Sequence, residues 1–343
     1  MNELAIYEEI LAKASELRIA VVGDFYLDRY ILGNMEAISR EAPVPIVRIE
    51  QDQYLPGGGG NTTLNVRELG VQTFAVGVIG DDLSAEIMLR EFEKRGVNTQ
   101  YLIRDPRRHT PTFNKIYASS FHGKKQQVAR FDQENEEPIS AEDENRLIEA
   151  LEREMPRWDA VIVDDYNEVQ ETGVVTRRIL EAVQDLARQH NVIIVGDSRL
   201  RIQRFRDFTA LVPNEVELAI GLGLDEAEVR DEKSLERAAR ELESVVHARY
   251  LIVTLGEKGA RIFYRDPDRS DHVPTWPVRG EIDVTGAGDS FAASLTTALA
   301  AGADVLSATT LANAAASVVV QKLYTTGTAS PQEILERLQQ PRE

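Results

Sequence analysis

The 343-residue chain has no cysteine, which excludes a disulfide framework, a thiolate nucleophile and any Cys-based zinc or iron–sulfur site. No window approaches an 18-residue apolar run, so a membrane-spanning helix is excluded as well. The histidines at 109, 122, 190, 247 and 272 show neither HxxxH nor HExxH spacing, so no metallohydrolase pattern is present. GxSxG does not occur either. Positive charge is scarce: 39 Lys and Arg against 57 Asp and Glu give a formal net charge of −18. That balance argues against nucleic acid or an anionic membrane as partner. The amino terminus, MNELAIYEEILAKASEL, is acidic, with Leu4, Ile10, Ala14 and Leu17 near helical spacing. A secretory leader starts basic and then runs apolar; a cytoplasmic address is expected.

What is present reads as an α/β chain. Short Val- and Ile-rich runs predict buried strands at Ile19–Gly23, Thr73–Ile79, Ala160–Asp164, Val192–Gly196, Ala210–Val212 and Tyr250–Thr254. Helical patterns at Leu83–Arg95, Glu142–Met155, Val174–His190 and Ser234–Val246 lie between them. Two helix starts are signalled by Ser140 with Asp143, and by Ser330-Pro331 with Glu333. This alternation predicts a mainly parallel central sheet flanked by helices. Val44–Glu50 and Thr112–Asp132 alternate polar and apolar residues instead, the second with a Gly-containing turn at His122–Lys124. They predict a small β-lid beside the main sheet. Two Ala-rich helices, Gly286–Gly302 and Asp304–Leu323, follow with no strand between them. No repeat or long linker divides the chain, so residues 1–343 read as one domain, with lid strands from about 31–55 and 110–132.

Three Gly-containing segments carry chemistry. In Asp283-Val-Thr-Gly-Ala-Gly-Asp289 a Gly-Ala-Gly turn opens a long helix. There the N–H groups converge at the positive end of the helix dipole, and glycine keeps side chains out of the cradle. Asp289 stands beside that anion site, where a carboxylate hinders phosphate binding but can take a proton from an attacking hydroxyl. An anion cradle next to a base suggests phosphoryl transfer to an alcohol; an ordinary Gly turn before a helix is the plain alternative. A dinucleotide fingerprint is rejected because Phe291 replaces the third glycine. Pro56-Gly-Gly-Gly-Gly-Asn61 lets the backbone approach a ligand, and Asn61 can donate to and accept from hydroxyls. It is no Walker loop, since no Gly-Lys-Ser/Thr follows. Asp24 and Asp28, beyond the first strand, can chelate vicinal hydroxyls or simply serve as turn residues.

The order of Gly23-Asp24, the Gly-rich loop to Asn61, Asn214-Glu-Val-Glu217 and Asp283–Asp289 resembles the PfkB/ribokinase-like carbohydrate kinases, from about Ile19 to Ser330. Within that family the chain looks most like the heptose-7-phosphate kinase domain of bifunctional ADP-heptose synthesis proteins. Gly23–Tyr30, Ile38–Val47, Gln126–Asp132 and Leu311–Ala316 carry that likeness. The resemblance implies a ribokinase-like fold and an ATP-dependent sugar kinase using Mg²⁺. Asp289 would be the catalytic base, with the N–H groups of Gly286, Ala287 and Gly288 on the phosphoryl group. Asp24, Asp28, Gly58, Gly59 and Asn61 match sugar-side positions, with Lys115 and Arg130 on the lid as contacts to a sugar phosphate. Asn214, Thr254, Gly256, Gly259 and Asn313 match the ATP side. Glu217 matches an indirect Mg²⁺ position, and Asp283 and Thr285 match a site for a monovalent cation such as K⁺. A homodimer through the lid strands is expected. Three segments depart from the heptose kinases: Asp164-Asp-Tyr-Asn-Glu-Val169 puts Glu168 where they carry Lys, Asp197-Ser-Arg199 replaces Asp-Pro-Lys, and Val284-Thr285 replaces Val-Ser. A kinase for a non-sugar alcohol such as a nucleoside, or an inactive binding protein of the same fold, is the alternative.

Overall fold

The computed structural model describes residues 3–342 apart from 120–122, 124 and 268. In chain order its strands are β1 (Arg18–Gly23), β2 (Phe25–Ile38), β3 (Pro45–Gly58), β4 (Gln72–Gly80), β5 (Asn98–Asp105), β6 (Thr112–Ser119), β7 (Gln126–Gln133), β8 (Ala160–Asp165), β9 (Ile193–Ser198), β10 (Ala210–Leu211), β11 (Tyr250–Thr254), β12 (Ala260–Tyr264) and β13 (Arg269–Val273). Its α-helices are α1 (Glu3–Lys13), α2 (Gly59–Glu68), α3 (Leu83–Arg95), α4 (Ala141–Glu154), α5 (Arg177–His190), α6 (Glu215–Leu222), α7 (Glu232–Val246), α8 (Ala287–Ala300), α9 (Val305–Val319) and α10 (Pro331–Leu338). No helix among the described residues is long and apolar enough to cross a membrane.

A large sheet runs β13-β12-β11-β10-β9-β8-β1-β4-β5, parallel from β11 through β5 and antiparallel at β12 and β13. Successive side chains of a strand point to opposite faces. In β1, Ala20 and Val22 join the core beneath α4, α5, α6 and α7, while Ile19 and Val21 join the core shared with α1, α8, α9 and α10. Covering both faces removes the need for polar alternation, which is why these strands read as unbroken apolar runs. The second sheet, β3-β2-β6-β7, pairs β2 with β6 in parallel and its other neighbours antiparallel. The ribokinase-like architecture with a small β-layer is therefore present.

Local signals act as expected at several helix ends. The Ser140 hydroxyl accepts the Asp143 N–H, and Ser330 and Glu333 form a reciprocal capping box. The helix expected from Val174 starts instead at Arg177, because Thr176 caps it and the Val174 N–H is drawn to Asp24. The strands β5, β12 and β13, and the part of β2 before the expected lid segment 31–55, are not foretold by sequence pattern. β2 carries Asp28, Arg29, Asn34 and Glu36 among its apolar residues, and β13 is mostly polar. Pairing with neighbours, rather than intrinsic pattern, makes such segments strands. The turn expected at His122–Lys124 lies outside the described residues except for Gly123.

Candidate active site

The site forms where the chain passes between the sheets. At Gly23, ending β1, a Cβ would lie 2.3 Å from the Asp164 carbonyl oxygen, so only glycine lets β1 approach β8 there. Two residues later β2 begins the small sheet, and the chain returns through Gly57–Gly60 into α2. Gly58 has φ +52°, and a Cβ on it would meet the Asp24 carbonyl at 2.9 Å; one on Gly57 would meet Asp28 Oδ2 at 2.8 Å. Gly58 and Gly59 are buried, and the Gly59 N–H donates to the Asp24 carbonyl at 2.9 Å. The glycine run thus first serves close packing of the sheet junction.

Asp24 and Asp28 separate here. The Asp24 carboxylate accepts N–H groups of Tyr166 (3.2 Å), Asn167 (3.0 Å) and Val174 (2.6 Å), tying down the loop after β8. Burial, with Asp165 adding repulsion, pushes its carboxyl up to about 6. Asp28 lies within β2, and Lys115 Nζ sits 3.0 Å from its Oδ1 and 3.3 Å from the Tyr30 hydroxyl. Burial pushes Asp28 up while Lys115 opposes the shift. The register pairs Tyr30 with Lys115 and Lys115 with Arg130, so Asp28, Tyr30, Lys115 and Arg130 share one face. Arg130 stacks over Phe113 at 4.1 Å and bonds Asp132 at 2.8 Å.

Asp289 sits in the first turn of α8, partly open to solvent. Asn61 Nδ2, from α2, donates to its Oδ2 at 2.6 Å. Burial pushes the Asp289 carboxyl up to about 6, the Asn61 bond and Lys115 hold it down, and Asp28 raises it. Gly286 has φ +80°, and a Cβ on it would lie 2.7 Å from Asn61 Nδ2, so the glycine is needed twice over. Among the described residues the N–H groups of Gly286 and Gly288 have no acceptor, whereas the Ala287 N–H donates to the Val284 carbonyl at 3.2 Å. Asp283 spends its carboxylate on the N–H groups of Thr285 and Tyr324, each at 3.0 Å, which holds the turn's entry in place.

More carboxylates crowd beside Asp289. Asp164 lies near the end of β8 with Thr62 Oγ1 donating to it at 2.7 Å; burial and then Asp289 push it well up. Asp197 in β9 is pushed up by burial and then by Glu217, Asp164 and Asp289. Glu217 and Asn214 form a capping box at the start of α6. Burial takes Glu217 up to about 7, against the Asn214 N–H and Arg199. Sequence reasoning gives Asp164 and Asp197 no role; their place at the carboxyl ends of two strands that the sequence does predict is the available signal.

The residues expected on the ATP side also come together. Asn214 and Thr254 form a parallel bridge, with the Thr254 N–H on the Pro213 carbonyl at 3.0 Å. Gly256 (φ +56°) and Gly259 (φ +92°) form the next turn, and a Cβ on Gly259 would strike the Val273 carbonyl at 2.2 Å. Asn313 Nδ2 donates to that same carbonyl at 2.9 Å. Two open cavities of about 530 and 570 Å³ lie at the opposite end of the large sheet, around Ile193, Thr209 and Arg249, and contain none of the site residues. Asp164 and Asp197, at the carboxyl ends of their strands, lie close enough to Asp289 in α8 for its charge to raise their carboxyls.

Comparison with known proteins gives the family and the fold. The model of the pfkB family carbohydrate kinases matches residues 17–333. The bifunctional protein HldE of Trichlorobacter lovleyi is 34% identical over 329 residues, covering 96% of this chain and 64% of that protein's length. The structure of Arabidopsis thaliana ribokinase complexed with ribose and ATP superposes with a TM-score of 0.72 at 19% identity, covering 95% of this chain and 99% of that one. Phosphofructokinase-2 of Escherichia coli in complex with potassium gives a TM-score of 0.72 at 16% identity, covering 93% and 97%. At those identities the two structures show the shared fold.

Proposed function

The chain belongs to the pfkB family of carbohydrate kinases, and from that premise we propose that it transfers the γ-phosphoryl group of ATP to a hydroxyl of a sugar phosphate. The observation that supports this reading is the pairing of a partly exposed Asp289 with N–H groups of Gly286 and Gly288 that have no acceptor among the described residues. Asp289 takes the acceptor proton on the oxygen that Asn61 leaves free. The acceptor oxygen bonds phosphorus as the bridge to ADP breaks, and the helix N-terminus of α8 holds the charge on the transferred group. The Ala287 N–H joins only if its bond to Val284 opens. ATP lies along Asn214, Thr254, Gly256, Gly259 and Asn313.

Four crowded carboxylates, Asp164, Asp197, Glu217 and Asp289, fit a divalent cation: raised carboxyls mark an excess of negative charge that a cation relieves. No three acidic or histidine side chains among the described residues form a ready metal cluster. Mg²⁺ would therefore be held through water and nucleotide phosphate, where it supplies charge neutralisation. A monovalent cation would rest on the lone pairs that Asp283 has left and on the Thr285 hydroxyl.

On the acceptor side, Lys115 and Arg130 offer positive charge beneath the small sheet. Two of the departures from the heptose-kinase pattern meet one another: Arg199 lies 3.5 Å from Glu168 and stacks over Tyr166 at 5.1 Å. The reversed charge at Glu168 is thus offset locally, leaving the acceptor phosphate to Lys115 and Arg130. A heptose 7-phosphate is the acceptor the family resemblance favours. Exposed Ile38, Val44, Ile46, Ile49 and Phe131 on the small sheet suit a homodimer through that sheet.

Assay of ATP consumption with Mg²⁺ against free sugars, sugar phosphates and nucleosides tests the proposal. Turnover of D-glycero-D-manno-heptose 7-phosphate is expected. Turnover confined to nucleosides overturns the acceptor class, and an inert panel with ATP bound overturns the kinase reading.

A further inference from the structure

Asn61 and Asn65 lie one turn apart on α2, both buried. Asn65 Nδ2 faces three oxygens: the Asn61 carbonyl at 3.0 Å, the Asn61 side-chain Oδ1 at 3.3 Å and the Gly327 carbonyl at 3.3 Å. On the far side of the same side chain, Asn61 Nδ2 donates to Asp289 Oδ2 at 2.6 Å. An asparagine amide has one accepting and one donating end, and its neighbours decide which end points where. A donor at Asn65 requires the Oδ1 of Asn61 to face it, and that leaves Nδ2 for the carboxylate. The reversed amide would set oxygen against oxygen at Asp289 and N–H against N–H at Asn65. Asn65 is thus the contact that orients the accepting end of Asn61.

We propose that Asn65 is a positioning residue for the phosphoryl transfer: by setting the polarity of the Asn61 amide it fixes Asp289 with Oδ2 bonded and the other oxygen free for the acceptor hydroxyl. This rests on the reading of Asp289 as the base, and it ties the Gly-rich segment before α2 to the turn before α8. Gly286 belongs to the same device, since a side chain there would occupy the space of Asn61 Nδ2. The charged and titratable groups facing Asp289 are Asp28 and Lys115 from the small sheet, Asp164 and Tyr166 from the end of β8, Asp197 from β9 and Glu217 from α6. All are unchanged by substitution at Asn65, so a shift at Asp289 reports on the amide.

The test is titration of the Asp289 side chain by ¹³C carboxyl NMR in the wild-type protein, Asn65→Ala and Asn65→Leu, with Asp289→Asn to assign the resonance. Losing a fixed donor disfavours the ionised form. Asp289 is therefore expected to titrate about 0.5–1 pH unit higher in both Asn65 variants, by the worth of a single hydrogen bond. With a turned-over acceptor, kcat should fall roughly tenfold and the acid limb of the rate profile should move up with it, while the KM for ATP holds. An Asp289 titration that does not move in folded Asn65 variants overturns the proposal, and this readout needs no substrate. If Asn65→Ala fails to fold, Asn65→Leu, which keeps the branched shape of the side chain and adds no charge, decides by the same criterion. A wild-type protein inert toward every acceptor overturns the kinase function instead, and the titration still decides the role of Asn65.

Discussion

Asp24 stands between β1 and β2 and Asp289 in the first turn of α8, and burial takes both carboxyls up to about 6. Their surroundings differ in one respect. Three backbone N–H groups converge on Asp24, which is 4% exposed, while Asp289 receives one side-chain bond, from Asn61, and is partly exposed. A displaced pKa alone therefore does not identify a base; an oxygen with no partner and a path to the acceptor does. The same burial serves architecture at Asp24 and, in the proposed function, chemistry at Asp289.

Substitution is expected to separate the two most strongly in turnover. Asp289→Asn should lower kcat by ~10²–10⁴-fold while the ATP dissociation constant, measured by calorimetry, stays near the wild-type value. Full activity in that variant would place the base elsewhere. Asp24→Ala should act on the fold: three buried N–H groups lose their acceptor, and denaturant unfolding should show a loss of about 2–4 kcal/mol. A wild-type midpoint would show that water replaces the carboxylate. Lys115→Met comes next, with a rise of roughly tenfold in KM for a phosphorylated acceptor and little change for ATP. Equal losses for both substrates would remove Lys115 from the acceptor side.

The smallest expected effect is in pH. As a base Asp289 must be ionised, so kcat/KM should fall as pH drops below about 6. Stability should run the other way. Folded carboxyls raised from 3.8 to about 6 at Asp24 and Asp289, and from 4.5 to about 7 at Glu217, bind protons more tightly than in the unfolded chain. Folding is therefore favoured as pH falls from about 7 toward 5. Asp289→Asn should flatten that rise in melting temperature, and an unchanged slope would assign it to the other carboxyls.

The fold is legible wherever burial on both faces writes itself into composition, as in β1, β8 and β11, and wherever a cap signals a helix, as at Ser140 and Ser330. It is illegible in the first half of β2 and in β13, where hydrogen bonds from neighbours decide and the side chains carry no regular pattern. At the site, the Gly-Ala-Gly turn and Asp289 are visible as a motif because a helix start and its anion cradle are local in the chain. Asp164 and Asp197 carry no such mark, since a lone Asp after a strand looks alike whether it meets solvent or three other carboxylates.

The sequence by itself determined the family resemblance and the main sheet, because motifs, caps and apolar runs act over a few residues. Only the tertiary structure decided what each polar group is for. Asp24 became a brace for the loop after β8, Glu168 and Arg199 became partners, and Asn61 became linked to an aspartate 228 residues away. Those roles depend on which side chains meet across the sheet junction, and spacing along a chain does not encode distance through space.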